Sequence, residues 1–108
     1  MVHTRDSVND VVQEYVDKTV SRVPEVHEIW LFGSQVTGNV QEDSDIDLAI
    51  VSPLFEKDFP RAMSTMYKTL WNMRTGTNIE IHGFTPEDFE QDLLGAEVRT
   101  TGIRMYPA

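Results

Sequence analysis

Apolar residues in the first quarter of the chain recur every three or four positions, which is the period of an α-helix with one buried face. These residues are Val8, Val11, Val12, Tyr15, Val16, Val20 and Val23. The pattern predicts a helix over 7–23. Ser7 and Asp10 resemble a capping box at its start, and Pro24 marks its end.

Three short segments have the composition of β-strands. They are HEIWLF at 27–32, IDLAIV at 46–51 and NIEIHGF at 78–84. In the third segment Ile79 and Ile81 alternate with Glu80 and His82. Side chains alternate between the two faces of a strand, so this alternation predicts a half-buried strand whose polar side faces something other than the core.

A second helical pattern separates the second and third predicted strands. Its apolar members are Phe59, Ala62, Met63, Met66, Leu70 and Met73. The spacing predicts a helix over 58–74, with the methionines in the core.

Residues after the third predicted strand indicate one more helix and one more strand. Thr85 is the expected N-cap, Pro86 occupies the first helical position, and Gly95 is expected just past the helix end. The tail, 102–106, is the candidate last strand. The fold class predicted is therefore α/β (α+β), with a small mixed β-sheet of three to four strands flanked by helices.

Composition and charge limit the classes of function. The 108 residues are expected to form a single domain, 1–108, and no apolar run approaches the roughly 18 residues of a membrane span. The formal charge is −9, and the nine Lys and Arg residues form no cluster, which argues against nucleic acid as a main partner. Zero cysteines exclude disulfides and Cys-based zinc sites, and a cytoplasmic location is expected.

Candidate chemistry concentrates between residues 33 and 47, in the sequence GSQVTGNVQEDSDID. Asp45 and Asp47 lie two apart at the start of a predicted strand, so they should share one face, about 7 Å apart along the strand. Two like charges about 4 Å apart repel by about 4 kcal/mol at an effective dielectric of about 20, so a convergent pair favours a bound cation. Magnesium prefers such oxygen ligands.

Gly33 and Ser34 end the preceding predicted strand. A glycine lets backbone N–H groups approach a phosphate, and a serine adds a hydroxyl donor. The two strand ends meet if the strands run antiparallel or if the loop between them folds back. The hypothesis is a metal-triphosphate site, in which the carboxylates hold the cation and the Gly-Ser turn holds the phosphate.

Gly33-Ser34, ten further residues and then Asp45-Ile46-Asp47 give a pattern similar to the signature of the DNA polymerase beta-like nucleotidyltransferases. The chain resembles more narrowly the minimal nucleotidyltransferase (MNT) domains of prokaryotic toxin-antitoxin modules. The resemblance covers nearly the whole chain and implies that Asp45, Asp47 and Glu80 are catalytic metal ligands. It also implies that Gly33 and Ser34 bind phosphate. Two positions depart from the family pattern: Gln35 stands where Arg is frequent, and Glu80 where Asp is usual.

The same resemblance implies an activity and partners. The expected enzyme transfers AMP (NMP) from ATP to a hydroxyl with Mg²⁺ as cofactor. The expected acceptor is a tyrosine of a cognate HEPN-domain toxin, which would make the chain a type VII-like antitoxin. No membrane partner is expected, and a homo- or hetero-oligomer stays open.

Other interpretations fit the same residues less well. Asp43, Asp45 and Asp47 occupy alternate positions as in an EF-hand, but Leu48 and Leu54 stand where Gly and Glu are needed. The spacing from Gly33 to Gly38 imitates a P-loop without its Lys.

Two alternative functions stay open. One is a catalytically weak binding module that neutralises a partner without chemistry, and the other is a subunit of a small-molecule transferase. Among single residues, His82 is interpreted as a surface histidine with nucleotide contact as the alternative. Trp30 and Trp71 are interpreted as core or interface residues.

Overall fold

The computed structural model describes residues 5–33, 46–73 and 78–108. In chain order the elements described are α1 (Arg5–Arg22), β1 (Glu28–Phe32), β2 (Ile46–Val51), α2 (Leu54–Lys57), α3 (Phe59–Met73), β3 (Ile79–Phe84), α4 (Pro86–Gln91), α5 (Leu93–Thr101) and β4 (Ile103–Tyr106). This architecture confirms the predicted fold class.

The four strands form one mixed sheet in the order β3-β2-β1-β4. β1 runs antiparallel to both β2 and β4, whereas β2 and β3 are parallel. The chain between β2 and β3 contains α2 and α3, because parallel neighbours need a long crossover connection. For the ends of β1 and β2 to meet, either antiparallel strands or a loop that folds back was predicted. The antiparallel arrangement is present.

One face of the sheet carries the main core, which α1 and α3 cover. Ile46, Leu48 and Ile50 of β2 point to this face and are fully buried, as their alternation predicts. Met66 is buried there as well, while Met63 and Met73 are partly buried against it. The interpretation as core residues is confirmed for Met66, whereas Met63 and Met73 lie at the edge of the core.

The opposite face of the sheet carries a smaller second core, which α4 and α5 cover. Its members are Phe32, Ala49, Val51, Phe84, Phe89 and Val98, with Trp30 packed against them. β2 is therefore buried on both faces along most of its length. The face of β3 that carries Glu80 and His82 ends in the apolar Phe84, which belongs to this second core.

The polypeptide after β3 differs from the prediction at Gly95. Thr85 does cap α4, since its side chain accepts a hydrogen bond from the N–H of Asp88. However, α4 ends at Gln91 and a second helix, α5, begins at Leu93, so Gly95 lies inside a helix. The prediction that Gly95 marks a helix end was wrong because the glycine serves packing: an added Cβ would collide with the carbonyl of Phe89.

Helix α1 begins at Arg5, two residues before the predicted start, so Ser7 lies within its first turn and not at its N-cap. The end at Arg22, shortly before Pro24, agrees with the prediction. Over 5–33, 46–73 and 78–108, no helix is long and apolar enough to cross a membrane.

The two tryptophans lie outside the main core. Trp71 is 65% exposed and stacks on Tyr67, so of its two interpretations the core position was wrong and the interface position stays a prediction. The hydroxyl of Tyr67 accepts a hydrogen bond from the backbone N–H of Ile81 on the edge strand β3, so the ring on which Trp71 stacks is attached to the edge of the sheet. Trp30 is half-buried, and its Nε1 donates to Glu28.

Candidate functional site

The parallel pairing of β2 and β3 places two carboxylates side by side. Asp47, the second residue of β2, is the register partner of Glu80, the second residue of β3. Phe32, the last residue of β1, is the register partner of Asp47 from the other side. One end of the second face therefore gathers residues from three strands, in the part that α4 and α5 leave accessible.

His82 completes a cluster with these two carboxylates. Its Nε2 lies 3.2 Å from Oδ1 of Asp47 and 3.9 Å from Oε1 of Glu80. The side chains of His82 and Asp47 are 27% and 24% exposed, whereas Glu80 is 56% exposed. The interpretation of His82 as a plain surface histidine was therefore wrong. The available signal was its position two residues after Glu80, which puts both on one face of β3.

The imidazole of His82 has an aromatic neighbour on β1 and a small register partner on β2. The ring of Phe32 contacts it edge to face, with centroids 5.1 Å apart. The register partner of His82 on β2 is Ala49, a small and fully buried residue.

Gly33 follows β1 directly and has a backbone conformation that L-residues rarely adopt, with φ at +88°. It also lies against the site, because a Cβ added there would collide with Oδ2 of Asp47. The absence of a side chain at 33 thus leaves room for the second carboxylate oxygen of Asp47. The predicted proximity of the Gly33 turn to Asp47 is present in the structure.

The remaining predicted site residues, Ser34 and Asp45, lie outside the described residues, as does Gln35. Ser34 follows Gly33 directly, and Asp45 precedes Ile46 of β2. Among the candidates that the structure describes, Gly33, Asp47 and Glu80 come together from three different strand ends.

The cluster has the composition of a cation site. Each of Asp47, Glu80 and His82 offers one ligand atom, and the three atoms lie within 4.8 Å of one another. Carboxylate oxygens are the ligands of Mg²⁺ and Mn²⁺, and imidazole is a ligand of transition metals. A divalent cation here would offset the repulsion between the two carboxylates.

Comparison with known families decides which kind of protein carries this site. The family model described as a nucleotidyltransferase domain matches residues 12–102. The chain belongs to the nucleotidyltransferase domain family. The match includes β1, β2 and β3, and so contains the whole cluster. No curated protein sequence matches the chain significantly.

Three solved structures resemble this nucleotidyltransferase domain. A protein from Sulfolobus solfataricus described as a putative nucleotidyltransferase has a TM-score of 0.71 at 18% identity, over 93% of this chain and 80% of its own. A toxin-antitoxin structure with AMP-PNP has a TM-score of 0.63 at 19% identity, over 89% and 73%. A further protein with the same description as the first has a TM-score of 0.60 at 26% identity, over 86% and 95%. These likenesses agree with the mixed sheet and its flanking helices.

Family membership supports a transferase activity, and nucleotidyltransferases generally use a divalent metal ion. The residues present in this nucleotidyltransferase domain fit such an ion. Two carboxylates supply negative charge and hard oxygen donors, and their ligand atoms lie close enough to contact one cation together. The lone pair of a neutral imidazole adds a nitrogen donor.

Proposed function

We propose that the protein transfers AMP from ATP to a hydroxyl group and releases pyrophosphate. The acceptor we propose is a tyrosine of a HEPN-domain toxin, which would make this chain the antitoxin. The proposal rests on a single observation above all. In a chain of the nucleotidyltransferase family, Asp47 and Glu80 converge on one accessible end of the sheet beside the Gly33 turn.

The proposed site combines the Asp47 and Glu80 carboxylates with the neighbouring Asp45 and the Gly33-Ser34 turn. Asp47 and Glu80 would hold Mg²⁺, joined by Asp45, while the turn at Gly33 and Ser34 would receive the triphosphate. The bound cation would neutralise phosphate oxygens and bring the α-phosphate to the carboxylates. Glu80 reaches the cluster although the side chain is one methylene longer than the usual aspartate, since its Oε1 lies within 3.9 Å of His82.

The bond changes of the proposed reaction are those of an in-line displacement. The acceptor hydroxyl oxygen forms a bond to the α-phosphorus, and the bond from that phosphorus to the bridging oxygen breaks. The bridging oxygen keeps the electron pair and leaves as part of pyrophosphate. Glu80, the most exposed of the three cluster side chains, is the group we propose to receive the hydroxyl proton.

Charge and fold similarity support the choice of substrate and partner. A chain of net charge −9 repels free triphosphate, so a nucleotide that arrives with a divalent cation is the favoured form. The toxin-antitoxin structure that resembles this chain contains AMP-PNP, an ATP analogue.

The experiment incubates the protein with α-labelled ATP and the product of the adjacent gene, in parallel reactions with Mg²⁺ and Mn²⁺. We expect label on a tyrosine of the neighbouring protein. Asp47→Asn should lower the rate by at least about 100-fold, because the cation loses a charged ligand. Asp92→Asn is the matched control: Asp92 is exposed at the start of α5 and makes no side-chain capping bond, so its variant should keep wild-type activity. No label with either cation, or undiminished transfer by Asp47→Asn, would refute the proposal.

A binding function without chemistry is the second candidate, and Gln35 is the feature that favours it. An arginine at this position would add a cation for the phosphates, and glutamine does not. In this case the protein would neutralise its partner by covering it. Calorimetry separates the two candidates. Partner affinity that is independent of ATP, of the divalent cation and of Asp47→Asn would favour binding alone.

A further inference from the structure

His82 has the geometry of a metal ligand. Two ligand atoms at right angles around one ion, each at about 2.1 Å, lie about 3 Å apart, and two opposite ligands lie about 4.2 Å apart. The distances from Nε2 of His82 to Asp47 and Glu80 are 3.2 and 3.9 Å, which fall between these limits. Both distances from the imidazole therefore fit ligation of one cation, and all three ligand atoms lie within 4.8 Å of one another.

The surroundings of His82 favour this arrangement. The ring contacts Phe32, and only 27% of the side chain is exposed. The side chain is therefore already ordered, and binding of an ion would cost little further conformational entropy. The 3.2 Å distance to Asp47 is also that of a hydrogen bond, in which Nε2 carries the proton. Ligation requires the other tautomer, with the proton on Nδ1 and the lone pair on Nε2.

We propose that His82 is a direct nitrogen ligand of the cation that Asp47 and Glu80 hold, and that it shifts the preference of the site from Mg²⁺ toward transition-metal ions such as Mn²⁺. The inference rests on the proposed function, which assigns a divalent cation to these carboxylates. A site built only from carboxylates suits Mg²⁺, which prefers oxygen ligands and retains water. An imidazole adds a donor that transition metals accept readily and Mg²⁺ accepts poorly.

The first test detects the nitrogen itself. Mn²⁺ alone is added to the full chain, and electron spin echo envelope modulation is recorded for the bound ion. We expect a ¹⁴N coupling, which moves to the ¹⁵N frequency when the protein is prepared with ¹⁵N-histidine. His82→Gln should abolish the coupling. The amide of glutamine can still donate a hydrogen bond to Asp47, so this variant removes the imidazole ligand and retains the possibility of the hydrogen bond.

The same substitution at another histidine is the matched control. His27 is exposed just before β1, at the end of the strand away from Phe32, and His27→Gln should leave the ¹⁴N coupling unchanged. The sequence contains three histidines, and His3→Gln should likewise leave it unchanged.

The second test measures affinity for the two ions by calorimetry. Loss of an outer partner of a metal ligand typically lowers metal affinity about 10- to 100-fold, so loss of a direct ligand should weaken Mn²⁺ at least about tenfold in His82→Gln. Mg²⁺ affinity should change by less than about threefold. An equal loss for both ions would assign His82 a positioning role through Asp47 and would overturn the proposal.

Both measurements are made without nucleotide or acceptor, so their outcome is separate from that of the transfer assay. A ¹⁴N coupling from His82 in a protein that transfers no label would support this inference and refute the proposed function. Label transfer by a protein whose bound Mn²⁺ shows no ¹⁴N coupling would support the proposed function and refute this inference. Failure of Mn²⁺ to bind the wild-type chain would also overturn the inference.

Discussion

The carboxylate of Asp47 has a defined neighbour at each of its oxygens. Oδ1 lies 3.2 Å from Nε2 of His82, and Oδ2 faces the backbone of Gly33. Phe32 directly precedes Gly33 in the chain and contacts the His82 ring, so it links the two neighbours of the carboxylate. The orientation of Asp47 therefore depends on residues from β1 and β3 as well as on its own strand.

Gly33→Ala should destabilise the protein by about 1–2 kcal/mol, because an L-residue is strained at a φ of +88°. Part of the loss should depend on Asp47, since the new methyl group would collide with its carboxylate. Urea unfolding of Gly33→Ala, Asp47→Ala and the double variant measures this. We expect a coupling of at least about 0.5 kcal/mol. Strict additivity would show that the two residues do not contact each other.

Tyr15 predicts how stability depends on pH at the alkaline end. Burial raises the pKa of its hydroxyl above the ordinary value, an effect that the neighbouring Thr19 side chain partly offsets and that Tyr67 slightly reinforces. The hydroxyl donates to the carbonyl of Met66 at 2.9 Å, a bond that needs the protonated form. The native protein thus keeps this proton at pH values where the unfolded chain loses it.

The contribution of Tyr15 should therefore be complete below about pH 10 and should be lost as the pH rises above it, by up to about 1.4 kcal/mol per pH unit. Tyr15→Phe should be less stable than wild type by about 1 kcal/mol at neutral pH, because the hydrogen bond is gone. Its stability should fall less steeply at alkaline pH. Urea unfolding from about pH 8 to about pH 11 would show the two curves converging, and parallel curves would contradict the assignment.

At the scale of elements, the contact between α4 and α5 determines which part of the second face is covered. Gly95 of α5 lies against the carbonyl of Phe89 in α4, and this close approach brings Phe89 and Val98 over Val51 and Phe84. The other end of the face, with Asp47, is left accessible. The packing of two short helices thus sets the boundary of the candidate site.

Gly95→Ala tests this contact because two effects have opposite signs. Alanine in place of glycine within an unhindered helix stabilises it by up to about 1 kcal/mol. Here the added methyl group would collide with backbone, so we expect a loss of about 1–3 kcal/mol in chemical denaturation. Ala96→Gly, at the adjacent position, is the control and should cost about 1 kcal/mol through helix propensity alone. A stabilised Gly95→Ala would show that the helices do not approach this closely.

At the scale of the whole molecule, the net charge of −9 opposes compaction and anion binding together. Salt weakens the repulsion between exposed charges in a general way. A cation bound at Asp47 and Glu80 would instead act at one place and would stabilise the native state by mass action. The two effects can be separated by comparing ions at equal ionic strength.

MgCl₂ or MnCl₂ should raise the melting temperature more than NaCl at the same ionic strength. Binding to the native state alone contributes about 2.7 kcal/mol when the ion is at 100 times its dissociation constant, and each kcal/mol corresponds to about 4–8 °C for a domain of about 60–100 residues. The double variant Asp47→Asn with Glu80→Gln should lose this specific increment. Equal shifts for divalent and monovalent salts in the wild type would contradict a specific site.

The sequence by itself determined most of the elements and the faces of β2. The apolar periodicity located α1 and α3, and the composition of short segments located the strands, whereas α2 and the break between α4 and α5 were not predicted. Ile46, Leu48 and Ile50 indicated which face of β2 enters the main core. Period-two alternation is a local property of a strand, so it can be read from neighbouring residues. The family resemblance likewise depended on a local pattern, the Gly-Ser turn and the Asp-x-Asp strand.

Only the tertiary structure decided which residues meet. The register of β2 with β3 places Asp47 beside Glu80, although 32 residues separate them in the sequence, and it brings His82 within 3.2 Å of Asp47. The structure likewise decided that Gly95 is a packing residue inside a helix, and that Tyr67 lies under β3 with Trp71 outside the core. Strand pairing and helix packing are contacts between distant segments, and a sequence pattern reports only the preferences of residues near one another.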